Sequence, residues 1–209
     1  MKPTLKTVVT ELEDLFEVFN EKYFDMELAR PVITVSPDHK NRCFGWCTSY
    51  KAWKSADGEE GYFEINICAE HLARPFEEVA ETMLHEMVHL HNLQNGIKDT
   101  SRAGTYHNDK FKKAAEAHGL TCEKDSKYGW CVTRLTDGAK DEAEQYMSFI
   151  GRKSFDLFRE QEAEKEKKEG GKKGNSIKYV CPVCGAIIRA TKKVRVICAD
   201  CDVEFIAEE

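Results

Sequence analysis

The segment Glu81 to Leu93, "ETMLHEMVHLHNL", sets three histidines and two glutamates into a run otherwise spaced like a buried helix. A helix returns to one face every three or four residues, so His85 and His89 stack one above the other, with Glu86 about 100° round from His85. Two imidazoles in that relation suit a metal ion. His85-Glu86-Met87-Val88-His89 fits H-E-x-x-H, in which the histidines bind zinc and the glutamate is general base toward a zinc-bound water. Zinc lowers the pKa of that water to about 7, and a carboxylate beside it takes the proton as the water attacks a peptide carbonyl. Five residues are a permissive pattern, but Met83, Leu84, Met87, Val88 and Leu90 supply apolar packing around these.

A catalytic zinc keeps three protein ligands and one open position, so a third ligand must come from elsewhere. The extension H-x-x-G-x-x-H is excluded, because Asn92 and Asn95 stand where its glycine and histidine belong. The candidates are His107, Asp109, Glu116 and His118. His107 opens the next helix after a loop long enough to fold back, whereas His118 sits near that helix's end, where the dipole alone favours a protonated imidazole. His91, two residues past His89, falls on a different face and reads as a supporting or surface residue; His39 and His71 carry no pattern. The Tyr106 phenol has the chemistry to donate to a developing oxyanion, although a core or rim position is the plainer reading.

A second constellation lies near the C-terminus. Cys181-Pro182-Val183-Cys184 and Cys198-Ala199-Asp200-Cys201 are two C-x-x-C knuckles thirteen residues apart, the spacing of a tetrahedral zinc site with four thiolates. Between them "AIIRATKKVRVI" reads as a hairpin turning near Lys192, the arrangement of a zinc ribbon, and so small a module should depend on its metal to fold. Two zinc ions are therefore expected, one catalytic and one structural. The other cysteines, Cys43, Cys47, Cys68, Cys122 and Cys131, read as reduced thiols, since nine is an odd count and the N-terminus has no signal-peptide pattern. Cys43 and Cys47 would lie roughly 13 Å apart along a strand, too far to share one metal without a bend.

These residues need elements to position them. Leu5, Val8, Leu12, Leu15, Phe16 and Phe19 predict an amphipathic helix closing near Tyr23. "RPVITVS", "CFGWCTSY" and "GYFEINIC" predict three strands of a small sheet, the last two as an antiparallel hairpin. The H-E-x-x-H helix should start after Pro75, carry Glu77 and Glu78 in its first turn, and end near Gly96. A polar loop "IKDTSRAGTY" follows, then a helix from about Asn108 stopped by Gly119, and a last helix from "KDEAEQY" that loses its apolar stripe after Phe158. The expectation is an α+β core of helices packed on a small sheet over residues 1–160, a charged linker at 161–176 and the ribbon at 177–209.

The net charge of −6 is unevenly spread: residues 1–150 hold 18 basic and 26 acidic side chains, residues 151–209 hold 13 and 11. A basic tail on an acidic body fits an anionic partner such as nucleic acid, and Lys178, Arg189, Lys192, Lys193 and Arg195, with Tyr179 to stack a base, could track a phosphate backbone. A solvated linker and a protein-docking ribbon are the plain alternatives. With no apolar run near the roughly 18 residues of a membrane span, no membrane role is expected, and residence should be cytoplasmic, at the nucleoid where DNA is bound.

Taken in order, "FNEKYFDMELARPVITVSP", a Gly-Trp strand, "HEMVHLHN", "HNDKF" and the four-cysteine ribbon resemble the SprT-like family, which includes bacterial SprT proteins and the Spartan proteases of eukaryotes. The similarity spans most of residues 10–120 and returns at 179–203. It implies a minimal gluzincin-like zinc metallopeptidase core. It also implies a third ligand within H-G-x-x-F, which falls on His107 with Phe111 as the aromatic. Asn108 replaces that glycine, a mild departure because Asn tolerates φ > 0. Spartan-type members are implied to cut proteins crosslinked to DNA, with DNA, single-stranded or at junctions, as the switch. The expected protein is thus a zinc metalloendopeptidase in which His85, His89 and His107 hold the metal, Glu86 is the base and an exposed strand edge near "FGWCTSY" receives substrate backbone. The competing readings are a non-catalytic, zinc-stabilised nucleic-acid-binding or adaptor protein, in which Glu86→Gln is silent, and a hydrolase of some non-protein substrate.

Overall fold

The helix-spaced apolar residues of the N-terminal segment do form a helix, α1 (Leu5–Tyr23), which buries Val8, Leu12, Leu15, Phe16 and Phe19. Thr4 caps it by accepting the Thr7 N–H, the bond an N-cap threonine is suited to make. The computed structural model describes residues 2–38, 43–58, 61–151, 154–160 and 176–208. The chain divides into two compact units, Met1–Gln161 and Glu162–Glu209. The proposed linker at 161–176 and His39 lie outside the described residues, save Ser176.

In the first unit, β1 (Val32–Ser36), β2 (Gly45–Cys47), β3 (Trp53–Lys54), β4 (Gly61–Tyr62) and β5 (Glu64–Cys68) follow α1. The main sheet has the order β1-β5-β2, with β1 parallel and β2 antiparallel to β5. The sheet is therefore mixed. The expected hairpin splits in two, a small β3–β4 ladder at the tip and the β2–β5 pair below it, and only Gly45–Cys47 of "CFGWCTSY" is strand.

Across this sheet lies α2 (Phe76–Gln94), begun by Pro75 and carrying Glu77 and Glu78 where the helix dipole favours acids. Val79, Ala80, Met83, Leu84, Met87, Val88 and Leu90 are all buried, so α2 is covered on most sides and the core is built round it. The loop after it contains β6 (Thr100–Ser101) and β7 (Tyr106–His107), and then α3 (Asp109–Ala117) begins.

A hairpin of β8 (Leu120–Asp125) and β9 (Gly129–Leu135) comes next, where the sequence reading placed no element. It completes a second sheet, β6-β7-β9-β8. Charged residues on its exposed face obscured the alternation: Leu120 and Thr133 are buried while Glu123, Lys124 and Arg134 face water. The last helix, α4 (Asp137–Ile150), starts at a Thr136 cap and stops at Gly151 in the left-handed conformation, well before Phe158. Glycine there ends the helix although the apolar stripe continues past it.

The second unit contains β10 (Ile177–Val180), β11 (Ile187–Ala190), β12 (Ile197–Cys198), β13 (Val203–Glu204) and β14 (Ile206–Glu208). The expected hairpin across Lys192 is not how the strands pair: β11 and β14 both flank β10, and β12 pairs with β13. Each C-x-x-C is the turn of its own hairpin, shown by Cys181 N–H donating to Ala186 O (2.9 Å) and Asp202 N–H to Cys198 O (2.8 Å). The turning is done at the knuckles, which leaves the Lys192 segment as the connection between two similar halves. Tyr179, assigned above to base stacking, is buried, and its hydroxyl accepts the Val194 N–H at 3.0 Å. It is a core residue of the ribbon, with no ring face left for a base.

Candidate metal centre

One turn of α2 brings His85 and His89 to the same face, and β7 brings His107 to meet them. β7 is held from both sides, by β6 (Thr100 opposite His107) and by β9 (His107 opposite Gly129). Asn108 then caps α3, its side chain accepting from Lys110 N (2.8 Å) and Phe111 N (3.4 Å), at φ −91°. The positive φ anticipated for this position is not used; capping is what an asparagine adds here and a glycine side chain cannot.

His107 Nε2 lies 3.2 Å from His85 Nε2 and 3.1 Å from His89 Nε2. The outer nitrogens are all engaged: His89 Nδ1 with Asp99 Oδ2 (2.7 Å), His107 Nδ1 with the Tyr128 carbonyl (3.4 Å) and His85 Nδ1 with Thr133 Oγ1 (3.2 Å). Thr133 gives its own proton to Glu81 (3.4 Å), so its oxygen is an acceptor toward His85. Three acceptors on the outside fix each proton on Nδ1, which leaves three Nε2 lone pairs facing one another. Lone pairs so placed repel unless a cation sits among them. A tetrahedral zinc with bonds of about 2.0–2.1 Å to nitrogen spaces its ligands about 3.3–3.4 Å apart, close to what is seen. The residues fit the ion, and the Asp99-His89 pair is the carboxylate-histidine arrangement that orients metal-bound imidazoles.

The trio is half-buried and backed by an aromatic ring. Phe111, fully buried, packs against all three rings with centroids 4.6–4.7 Å away. Burial, then the neighbouring imidazoles, holds His85 well below the usual histidine range, and burial brings His107 down to about 4. His89 is raised: burial opposes its charge, but the Asp99 hydrogen bond and the Glu86 and Asp99 charges outweigh it.

Glu86 is buried beside the trio, and burial pushes its carboxyl up to about 7. It accepts the backbone N–H of Cys47 in β2. The strand geometry explains the contact. Cys68 N–H donates to Phe44 O and Thr48 N–H to Glu64 O (both 2.9 Å), so the alternate backbone groups, at Gly45 and Cys47, turn away from β5 toward Glu86. Gly45 permits this approach, since a Cβ there would sit 2.7 Å from Asn66 O and 2.9 Å from Thr82 Cγ2.

The other candidates raised from sequence are elsewhere occupied. Asp109 accepts the Trp130 indole N–H at 2.7 Å, Glu116 pairs with Lys112 at 3.6 Å, and His118 stacks on Phe24 while bonding the Ala114 carbonyl. His91 packs against Phe24 and His118. Tyr106 lies under the Arg102 guanidinium, 4.5 Å from its ring. Asp99, Thr133 and Tyr128, which hold the imidazoles, were not found from sequence; an isolated Asp, Thr or Tyr in a polar stretch has no pattern to mark it.

In the second unit the ligand atoms of Cys181, Cys184, Cys198 and Cys201 lie within 4.8 Å of one another, with Cys184 Sγ 3.7 Å from Cys198 Sγ. Backbone N–H groups of the knuckle, Cys184 first, draw the Cys181 thiol down to about 7. The cluster fits a zinc ribbon. An α+β core that sets two helix histidines against a third from β7, with a four-cysteine ribbon after it, defines a protein with two candidate metal centres. The SprT-like family profile matches residues 12–127, more than half of the sequence, and the chain belongs to the SprT-like family. No curated protein matches it.

Proposed function

We propose that the protein is a zinc-dependent endopeptidase. The observation that carries this reading is the position of Glu86, buried next to three convergent imidazoles and beneath the outward backbone groups of β2. A structural metal site has no use for an additional, unligated carboxylate in an apolar setting, where its burial is costly. Zinc held by His85, His89 and His107 would supply an acidified water and a positive charge to polarise a carbonyl. Glu86 takes a proton at its carboxylate and returns it to the departing amine. Glu86, whose carboxyl burial pushes up, would be held ionised as a base by the charge of a dication bound to the three histidines. The outward side of β2, the edge of its sheet among the described residues, adds an extended peptide through the backbone groups that Glu86 does not take and lays that peptide's backbone across the site.

Proteins bound to DNA are the substrate class we assign, resting on the family resemblance and the ribbon's cations. Lys178 is engaged by Glu208 (2.6 Å) and Arg195 by Glu204 (3.2 Å), while Arg189, Lys192 and Lys193 are exposed. With Tyr179 buried, the contact is to phosphate. Three such contacts give a slope of log K against log salt of about −2 to −2.7.

The test is cleavage of a DNA-bound protein, with and without single-stranded DNA, by wild type and by zinc-loaded Glu86→Gln. Removal of a general base costs about 10²–10⁴ in rate, so the variant should keep its zinc and lose cleavage. No cleavage by either protein, with zinc and DNA affinity intact, would establish instead a binding protein with a structural metal.

A further inference from the structure

A third set of metal-ligating side chains lies outside both sites. β1 and β5 are parallel neighbours that end side by side, Ser36 opposite Cys68. Asp38 lies just beyond β1, and Cys43 lies where the chain returns toward β2, next to Phe44, whose carbonyl accepts the Cys68 N–H at 2.9 Å. Three separate segments thus deliver Asp38, Cys43 and Cys68 to one end of the sheet. Cys43 Sγ is 3.9 Å from Cys68 Sγ and 3.7 Å from Asp38 Oδ1, and the three ligand atoms all lie within 4.8 Å of one another.

We propose that Asp38, Cys43 and Cys68 form a further binding site for a thiophilic divalent cation, with zinc the fitting occupant. A tetrahedral zinc with bonds of about 2.3 Å to sulfur and 2.0–2.2 Å to oxygen spaces its ligands about 3.8 Å apart for two sulfurs and about 3.6 Å for sulfur and oxygen. Two thiolates select zinc over magnesium or calcium.

The surroundings support the ligands as metal sites require. Asn66, fully buried, accepts the Ser36 hydroxyl at its Oδ1 (2.8 Å), which turns its Nδ2 toward Cys68 Sγ at 3.9 Å, a donor toward sulfur. The Cys43 N–H steadies the other Asp38 oxygen at 3.2 Å, and the Asp38 N–H donates at 3.0 Å to Glu70, a carboxylate that also pairs with Arg159 at 3.6 Å. Asp38 is 6% and Cys68 0% exposed, so a carboxylate and a thiol are buried in contact with a second thiol. Binding of the cation would release the two thiol protons to solvent. At 3.9 Å the sulfurs are far from the roughly 2.05 Å of a disulfide. A metal here ties the entry of β2 to the end of β5, and β2 is the strand that lies over Glu86.

The test counts zinc per chain in the full-length protein, purified under reducing conditions, for wild type, Cys43→Ala and Asp38→Asn. Wild type should carry three equivalents and Cys43→Ala two. To keep the test independent of the folding of Cys43→Ala, alkylation of Cys43 in wild type is followed in parallel, with protection by zinc expected and lost on adding a chelator. Two equivalents in wild type with alkylation indifferent to zinc would overturn the proposal. A mass two hydrogens lower that thiol reductant restores would also overturn it, in favour of a disulfide. Neither readout depends on cleavage, so peptidase activity stands or falls separately.

Discussion

Replacing Asp99 by asparagine alters the metal centre without touching the metal's own ligands. Asp99 is buried and accepts two hydrogen bonds at one oxygen, from His89 Nδ1 at 2.7 Å and Asn92 Nδ2 at 3.0 Å. An asparagine whose carbonyl faces His89 keeps a neutral bond in place of a charge-assisted one about twice as strong. An asparagine turned the other way presents N–H to N–H, forces the proton to Nε2 and removes His89 as a ligand. The first arrangement sets the minimum loss. Residues in this position are worth about 10- to 100-fold in metal affinity, or about 1.4–2.7 kcal/mol. Competition against a chromophoric zinc chelator measures it, and the ribbon's zinc, bound by other residues, provides the internal reference. Weaker binding at the histidine site with the ribbon unchanged is the expected result. An affinity equal to wild type at both sites would refute the assignment of Asp99 as the group that orients His89.

Gly129→Ala should destabilise the fold by more than the ~1–2 kcal/mol of left-handed strain alone, because φ there is +75° and a Cβ would sit 2.1 Å from His107 O; denaturant unfolding and zinc content should fall together. Gly45→Ala should push β2 off α2, lowering cleavage while histidine-site zinc is retained, since the new Cβ meets Asn66 O and Thr82 Cγ2 rather than any imidazole. Met87→Ala, at a fully buried position between the two histidine turns, should cost about 2–5 kcal/mol. Zinc at about 1,000 times its Kd returns about 4 kcal/mol, so thermal melts of this variant should depend on zinc more visibly than those of wild type.

The parts legible in the sequence are those with strong local periodicity or fixed spacing. α1, α2 and α3 announce themselves by apolar stripes, caps and stop residues, and the C-x-x-C knuckles by their separation. β8 and β9 did not, because a half-exposed hairpin carrying Glu123, Lys124 and Arg134 is written mostly in polar residues. The pairing of the ribbon strands also escaped, since apolar runs give strand positions and say nothing of which neighbour each strand takes. Closeness in sequence pairs Cys43 with Cys47, whereas the sulfur that Cys43 meets is that of Cys68, brought by strand pairing.

The same distinction runs through the metal centre. His85 and His89 share a helix, and any helix would bring them together. What turns their lone pairs to one point is supplied from far along the chain: Thr133 on β9 for His85, the Tyr128 carbonyl at the β8–β9 turn for His107, and Asp99 before β6 for His89. Tyr128 O also accepts the His107 backbone N–H at 2.9 Å, so one carbonyl fixes both where His107 sits and how its ring is turned. The hairpin that the sequence hid is therefore the part that converts a helical spacing into a binding site. An ion held by the trio in turn closes α2, β7 and, through these bonds, β9 upon one another. Binding and folding of this sheet must then be coupled, because a metal that needs the hairpin in place stabilises every conformation in which it is in place.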